Sequence, residues 1–201
     1  MRVAQGKHIG KTLAFILTTS ALVALDPPDT PYFRRTGDSR DFNKVLSGRN
    51  TSLGTAVFPL ALYVAGLVGW NSHARQTALL AGEAVIDAQL LTTVMKNIDR
   101  RLRPIDIPAD GDFADSWFKS HGVVIRGRGS FPSGHTIAAF SVATVFAERY
   151  KKHRWVPFVA YGLAGLVGFS RVPLQSHFLS DAFAGAVLGY CISNHVVLRK
   201  R

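Results

Sequence analysis

Cysteine is all but missing from this chain. Cys191 stands alone among 201 residues, so no disulfide can close within it. It lies in an apolar run, where a buried thiol is the expected role. With no Cys-x-x-Cys pair and no cysteine–histidine cluster, a structural zinc site is not expected. Acids are scarce as well: 13 Asp and Glu face 24 Lys and Arg, for a net charge of +11 and a pI near 10.3. Such a surplus favours anionic partners, whether nucleic acid, anionic lipid or phosphorylated substrates. Nucleic acid fits worst, because the basic residues sit between apolar runs and form no stripe on a polar surface. Strand-like alternation, fixed-period repeats and low-complexity tracts are also absent, which leaves an all-α fold. The length suffices for one domain with a real core.

Apolar sequence is what the chain has instead. Hydrophobic residues make up 47 % and mean hydropathy is +0.14, high for a soluble protein and modest for a membrane one. After a basic start (Arg2, Lys7, Lys11), residues 12–25 are apolar and are expected to stop at Asp26-Pro27-Pro28. This segment reads as a signal-peptide core or a first membrane helix. The small residues near Ala21 and Ala24 make a poor cleavage site, which favours the helix, and residues 26–201 form one domain. Residues 26–50 read as a polar loop with a short surface helix around 42–46. Residues 52–70 carry no charge and approach a bilayer's thickness, with Trp70 at one end.

A turn leads to a helix over 77–98 that carries Glu83 and Asp87 on one face. Acids so placed face partner helices or a functional cavity. Residues 99–130 form a long polar connection in which Trp117, Phe118 and His121 are expected to shape an entrance. Helices follow over 134–149, 155–169 and 177–198, and Gly162, Gly165 and Gly168 are spaced for close packing. The six helices form an antiparallel, membrane-associated bundle with both termini on one side. The basic turns assign that side to the cytoplasm only weakly, since the other side is basic too. Parity says more: it brings three polar segments to the same end of the bundle.

The first segment holds Lys96 and Arg103, seven residues apart and so on one helical face, with Pro104 ending the helix. Two cations there suit an oxyanion or form a basic membrane-flanking cap. The second is Pro132-Ser133-Gly134-His135, either an ordinary helix N-cap or an anion site at the positive end of a helix. The third runs from Ser170-Arg171 to His177 and Asp181, four residues apart. On a helix, Asp181 can accept a hydrogen bond from one ring nitrogen of His177, leaving the other as a nucleophile; the alternative is a structural pair. Together these segments match phosphoryl transfer through a phosphohistidine. In that scheme His177 attacks phosphorus. Lys96, Arg103, Arg171, the Ser133 hydroxyl and the Gly134 amide hold the phosphoryl oxygens. His135 protonates the leaving oxygen and then activates water. The cations replace a metal ion, so no cofactor is expected.

Lys-x6-Arg-Pro, Pro-Ser-Gly-His and Ser-Arg-x5-His-x3-Asp, in this order across residues 77–198, resemble the signature of the type 2 phosphatidic acid phosphatase superfamily. That superfamily also includes bacterial class A acid phosphatases and vanadium haloperoxidases. The resemblance implies an antiparallel helical bundle, metal-independent phosphomonoester hydrolysis and inhibition by vanadate, a pentavalent phosphate mimic. It leaves the substrate open among lipid phosphates, isoprenoid diphosphates and soluble esters. The expectation is a lipid phosphatase in the inner, cytoplasmic membrane, with its site facing the periplasm or exterior. A soluble periplasmic acid phosphatase, a vanadium haloperoxidase and a non-enzymatic lipid-binding scaffold are the alternatives. The sequence does not set the oligomeric state.

Overall fold

The structure is a computed structural model that describes residues 9–37, 48–120 and 129–200. Among these residues there is helix and no strand. Six long helices follow one another: α1 Ile9–Gly37, α2 Gly48–Val68, α3 Ser72–Asp99, α4 Gly134–Arg149, α5 Trp155–Ser170 and α6 Leu179–Ile192. The all-α bundle expected from the sequence is therefore observed.

α4 is the hub, packed against α3, α5 and α6. Its residues explain why. Ala138, Ala139, Ala143 and Ala147 are buried and short, so neighbouring axes can come close. Ile137, Val142 and Val145 fill one side against Leu80, Ala81, Ala84 and Ala88 of α3, and Ala139 and Ala143 meet Ala164 of α5 on another. Glycine sets the approach of α6. A Cβ at Gly189 would lie 2.4 Å from the Ile137 carbonyl oxygen, and one at Gly185 would lie 2.9 Å from that of Ser133. Of the three expected α5 glycines, only Gly168 packs tightly, with Thr136 3.0 Å from its hypothetical Cβ; Gly162 and Gly165 face open space.

Among the described residues, three helices, within residues 9–35, 48–68 and 72–106, are long and apolar enough to cross a membrane. Large apolar side chains such as Leu17, Leu60, Leu90 and Phe158 point outward from the bundle.

Three local expectations are corrected. α1 does not stop at residue 26 but runs through Pro27, Pro28 and Pro31 to Gly37. Proline in a helix removes a donor and crowds the preceding turn, so tertiary contacts must offset that cost. Asp26, Thr30 and Arg34, four residues apart, share the face that docks: Asp26 is buried against Arg101, and Arg34 donates to the carbonyls of Pro104 and Ile107. The surface helix expected over 42–46 lies outside the described residues. Finally, α6 starts at Leu179 rather than at residue 177 and gives way at Ser193 to a π-turn. The Asp181 carboxylate accepts the Phe178 N–H at 2.8 Å, satisfying a free donor at the helix start. His177 is thereby left in the preceding loop.

Candidate active site

Backbone hydrogen bonds join the three motif segments. The Ser130 N–H donates to the Arg101 carbonyl at 2.8 Å, that of Ser133 to Asp181 at 3.0 Å, and that of Ile105 to Gln175 at 3.0 Å. Lys96, Arg103, Gly134, His135 and His177 consequently line one cavity of about 470 Å³. Ser52 and Thr55 of α2 and Gln89 and Thr92 of α3 also form part of its wall. Ser133, Arg171 and Asp181 are fully buried and lie behind that wall.

The Pro132–His135 turn is built as an N-cap. The Ser133 oxygen accepts the Thr136 N–H at 3.4 Å and the Thr136 hydroxyl at 2.8 Å. Gly134 begins α4 and lines the cavity, and its carbonyl accepts the Gln89 side-chain amide at 3.2 Å. The Arg171 guanidinium folds onto the Ser170 hydroxyl at 2.8 Å, and that hydroxyl donates to the Val167 carbonyl.

The two histidines carry their protons on opposite ring nitrogens. His177 Nδ1 lies 2.7 Å from the Ser130 carbonyl oxygen. A carbonyl only accepts, so Nδ1 bears the hydrogen and Nε2 keeps its lone pair. His135 Nε2 lies 3.0 Å from the Gly48 carbonyl oxygen, which places the hydrogen on Nε2 there; the Ser52 hydroxyl is at 3.0 Å from the same nitrogen. At Nε2, one ring thus offers a lone pair and the other an N–H donor. Burial pushes the His177 imidazole down from 6.5 to about 4, with the charges of Lys96 and Arg103 adding to that and Asp181 opposing it.

Direct capture of the His177 proton by Asp181 is not what the structure contains. His177 Nδ1 and Asp181 Oδ2 are 3.8 Å apart, too far for a hydrogen bond. The carboxylate is already engaged: Oδ2 accepts the Ser130 hydroxyl at 2.5 Å and the Phe178 N–H, and Oδ1 accepts Arg101 at 2.6 Å. Asp181 reaches His177 through Ser130 instead.

Five contributors escaped the motif reading: Asp26, Gly48, Ser52, Arg101 and Ser130. In the sequence Arg101 is one more basic residue beside Arg100 and Arg103, and Asp26 reads as a helix stop before two prolines. Ser130, two residues ahead of Pro132, was within reach of local reasoning. Glu83 and Asp87 are half-buried on α3 and do not line the cavity. Trp117 stacks over Arg101, while Phe118 is exposed, and His121 lies outside the described residues.

Known proteins resemble this chain in sequence and fold. A family model described as the PAP2 superfamily matches residues 77–200. A lipid A 1-phosphatase of Porphyromonas gingivalis is 38 % identical over 64 residues, which cover 31 % of this chain and 14 % of the relative. A lipid A 1-phosphatase of Rhizobium etli is 27 % identical over 161 residues, 75 % of this chain and 66 % of the relative. Phosphatidylglycerophosphatase B of Bacillus subtilis is 33 % identical over 156 residues, 73 % of this chain and 70 % of the relative. The match thus spans less than two thirds of the length of the two lipid A 1-phosphatases. The crystal structure of a transmembrane PAP2-type phosphatidylglycerolphosphate phosphatase from Bacillus subtilis superposes with a TM-score of 0.61 at 26 % identity, covering 90 % of this chain and 91 % of that one. Fold, motif order and a family match over more than half of its length agree: the chain belongs to the PAP2 superfamily.

Proposed function

We propose that this protein is an integral membrane phosphatase that hydrolyses lipid phosphomonoesters through a phosphohistidine on His177, without a metal ion. The observation that carries the reading is the pair of opposite tautomers in one cation-lined cavity. The Nε2 lone pair of His177 attacks phosphorus, and the bond from phosphorus to the leaving oxygen breaks. His135, as the imidazolium, turns its Nε2–H from the Gly48 carbonyl to that oxygen and protonates it, which leaves a neutral ring with its proton on Nδ1. The neutral His135 then takes a proton from water at Nε2. The resulting oxygen nucleophile attacks phosphorus, the N–P bond breaks, and inorganic phosphate leaves with His177 restored. Lys96, Arg103 and the Gly134 amide stabilise charge on the equatorial oxygens, and buried Arg171 adds positive field beside His135. Asp181 positions the site rather than touching the phosphoryl group.

Lipid is favoured over soluble esters by two features. The relatives are named for lipid phosphates. A second, apolar groove of about 730 Å³ between α2, α4 and α5 meets the catalytic cavity at Thr55, which lines both. Phe58, Leu62, Val159 and Leu163 offer it as a bed for an acyl chain. The same outward apolar surface favours a membrane location, and we place the site at the external face of the cytoplasmic membrane. Vanadate is expected to occupy the cradle and compete with substrate.

The test uses purified protein in detergent with a panel of lipid phosphates and p-nitrophenyl phosphate. Lipid phosphates are expected to be hydrolysed at rates insensitive to EDTA. Alkaline quenching during turnover of a radiolabelled substrate should leave label on the wild type and none on His177→Ala. Wild-type rates in His177→Ala would reject the nucleophile, and loss of activity in EDTA restored by magnesium would reject the metal-free step.

A further inference from the structure

The proposed chemistry makes no direct use of Arg101, a fully buried arginine. Every nitrogen of its guanidinium is engaged. One terminal nitrogen donates to Asp181 Oδ1 at 2.6 Å and to the Ser180 hydroxyl at 2.8 Å. The other donates to Asp26 Oδ2 at 2.7 Å, and Nε donates to the Ser116 hydroxyl at 3.2 Å. Its two faces are covered by Trp117 at 4.4 Å and Phe178 at 3.9 Å. Asp26, from α1, also accepts the hydroxyl and the N–H of Ser180. A planar fork with fixed donor directions, sandwiched between rings, sets angles that a flexible ammonium could not.

We propose that Arg101, anchored by Asp26, is a positioning residue for His177: it holds Asp181 on the Ser130 hydroxyl, so that the Ser130 carbonyl and not the carboxylate takes the Nδ1 proton. The Arg101 backbone reinforces this, since its carbonyl accepts the Ser130 N–H. Without the guanidinium, Asp181 Oδ1 loses its anchor, and only the Ser130 hydroxyl and the Phe178 N–H hold Oδ2 back from closing the 3.8 Å gap to Nδ1. His177 would then face a carboxylate, gain a proton more readily and lose its lone pair in the acid range. The charged groups around His177 are Asp181 of α6, Lys96 of α3 and Arg103 beyond it. Removing Arg101 therefore shifts the balance toward protonation, while removing the charge of Asp26 leaves Arg101 unshared beside Asp181 and shifts it the other way. Opposite signs are the mark of positioning, because loss of fold moves all readouts together.

The experiment follows the His177 ring by 15N NMR of histidine-labelled, full-length protein in detergent, beside turnover of a lipid phosphate and thermal unfolding. In Arg101→Gln the His177 titration midpoint is expected to rise by a unit or more and kcat to fall at least tenfold, with KM within twofold of wild type. Arg101→Lys, which keeps the charge and loses the fork, should recover part of each. In Asp26→Asn the midpoint should fall and kcat should drop severalfold. Folded Arg101→Gln with the wild-type midpoint overturns the proposal. If Arg101→Gln does not fold, Asp26→Asn decides alone, and a wild-type midpoint and kcat there overturn it. The turnover arm rests on the phosphatase reading and the NMR arm does not. A wild type inactive on every phosphate ester would therefore reject that reading while the midpoints still judged Arg101.

Discussion

In the proposed mechanism His177 serves as the nucleophile because of what surrounds it rather than because of what it is. An imidazole titrates near neutrality, but here full burial and two nearby cations hold it down to about 4. The acid limb of kcat/KM, which reports the free protein, is accordingly expected near pH 4; a limb at pH 6 or above would contradict the assignment. The sign for stability runs the same way. The unfolded chain takes up this proton near 6.5 while the folded one does not, so the contribution of His177 is fully present above pH 6.5 and is lost as pH falls toward 4. At this scale the motif residues were legible because their spacing is local and their chemistry is specific. The hydrogen-bond partners were not. Ser130 and Asp181 lie 51 residues apart in the chain, and the preference of Asp181 for Ser130, Phe178 and Arg101 follows from where those donors come to rest.

Helix limits followed the sequence where side chains cap and failed where distant contacts intervene. α4 begins at Gly134 behind the Ser133 cap, as the residues alone imply. α1 outlasts three prolines because its docking face is held by Arg101, Pro104 and Ile107, all far along the chain. Small-residue spacing marked α5 as a tight packer, yet the close crossing is between α4 and α6. Spacing reveals only that a helix can come close, and the topology decides which partner it meets. Gly189→Ala would drive a methyl into the Ile137 carbonyl and is expected to cost at least about 1–3 kcal/mol, read from thermal unfolding in detergent. Gly165→Ala faces open space, so the change should lie between none and a gain of about 1 kcal/mol. Equal losses in the two variants would refute the crossing described for α4 and α6.

For the molecule as a whole, the decisive property is an outer surface as apolar as a core. Leu17, Leu60, Leu90 and Phe158 are each more than 60 % exposed, which water would penalise and lipid would not. The protein should therefore remain in the membrane pellet after an alkaline carbonate wash and high-speed centrifugation. Recovery in the supernatant would return the soluble acid-phosphatase alternative. The site lies at one end of this bundle, with its cations gathered where three connections meet and its apolar groove running away between the helices. A substrate with a charged head and a long tail matches both.

Length, the missing strand pattern, the apolar runs and three ordered motifs were enough by themselves to settle an all-helical bundle and the residues gathered at its end. Those signals are local: periodicity, capping and short spacing act within a few turns of chain. Only the tertiary structure decided that α1 reaches the site through Asp26, that α2 covers His135 with Gly48 and Ser52, and that Ser130 stands between Asp181 and His177. Each of these joins residues dozens of positions apart, and a buried polar atom takes whichever partner the packing of its helices presents.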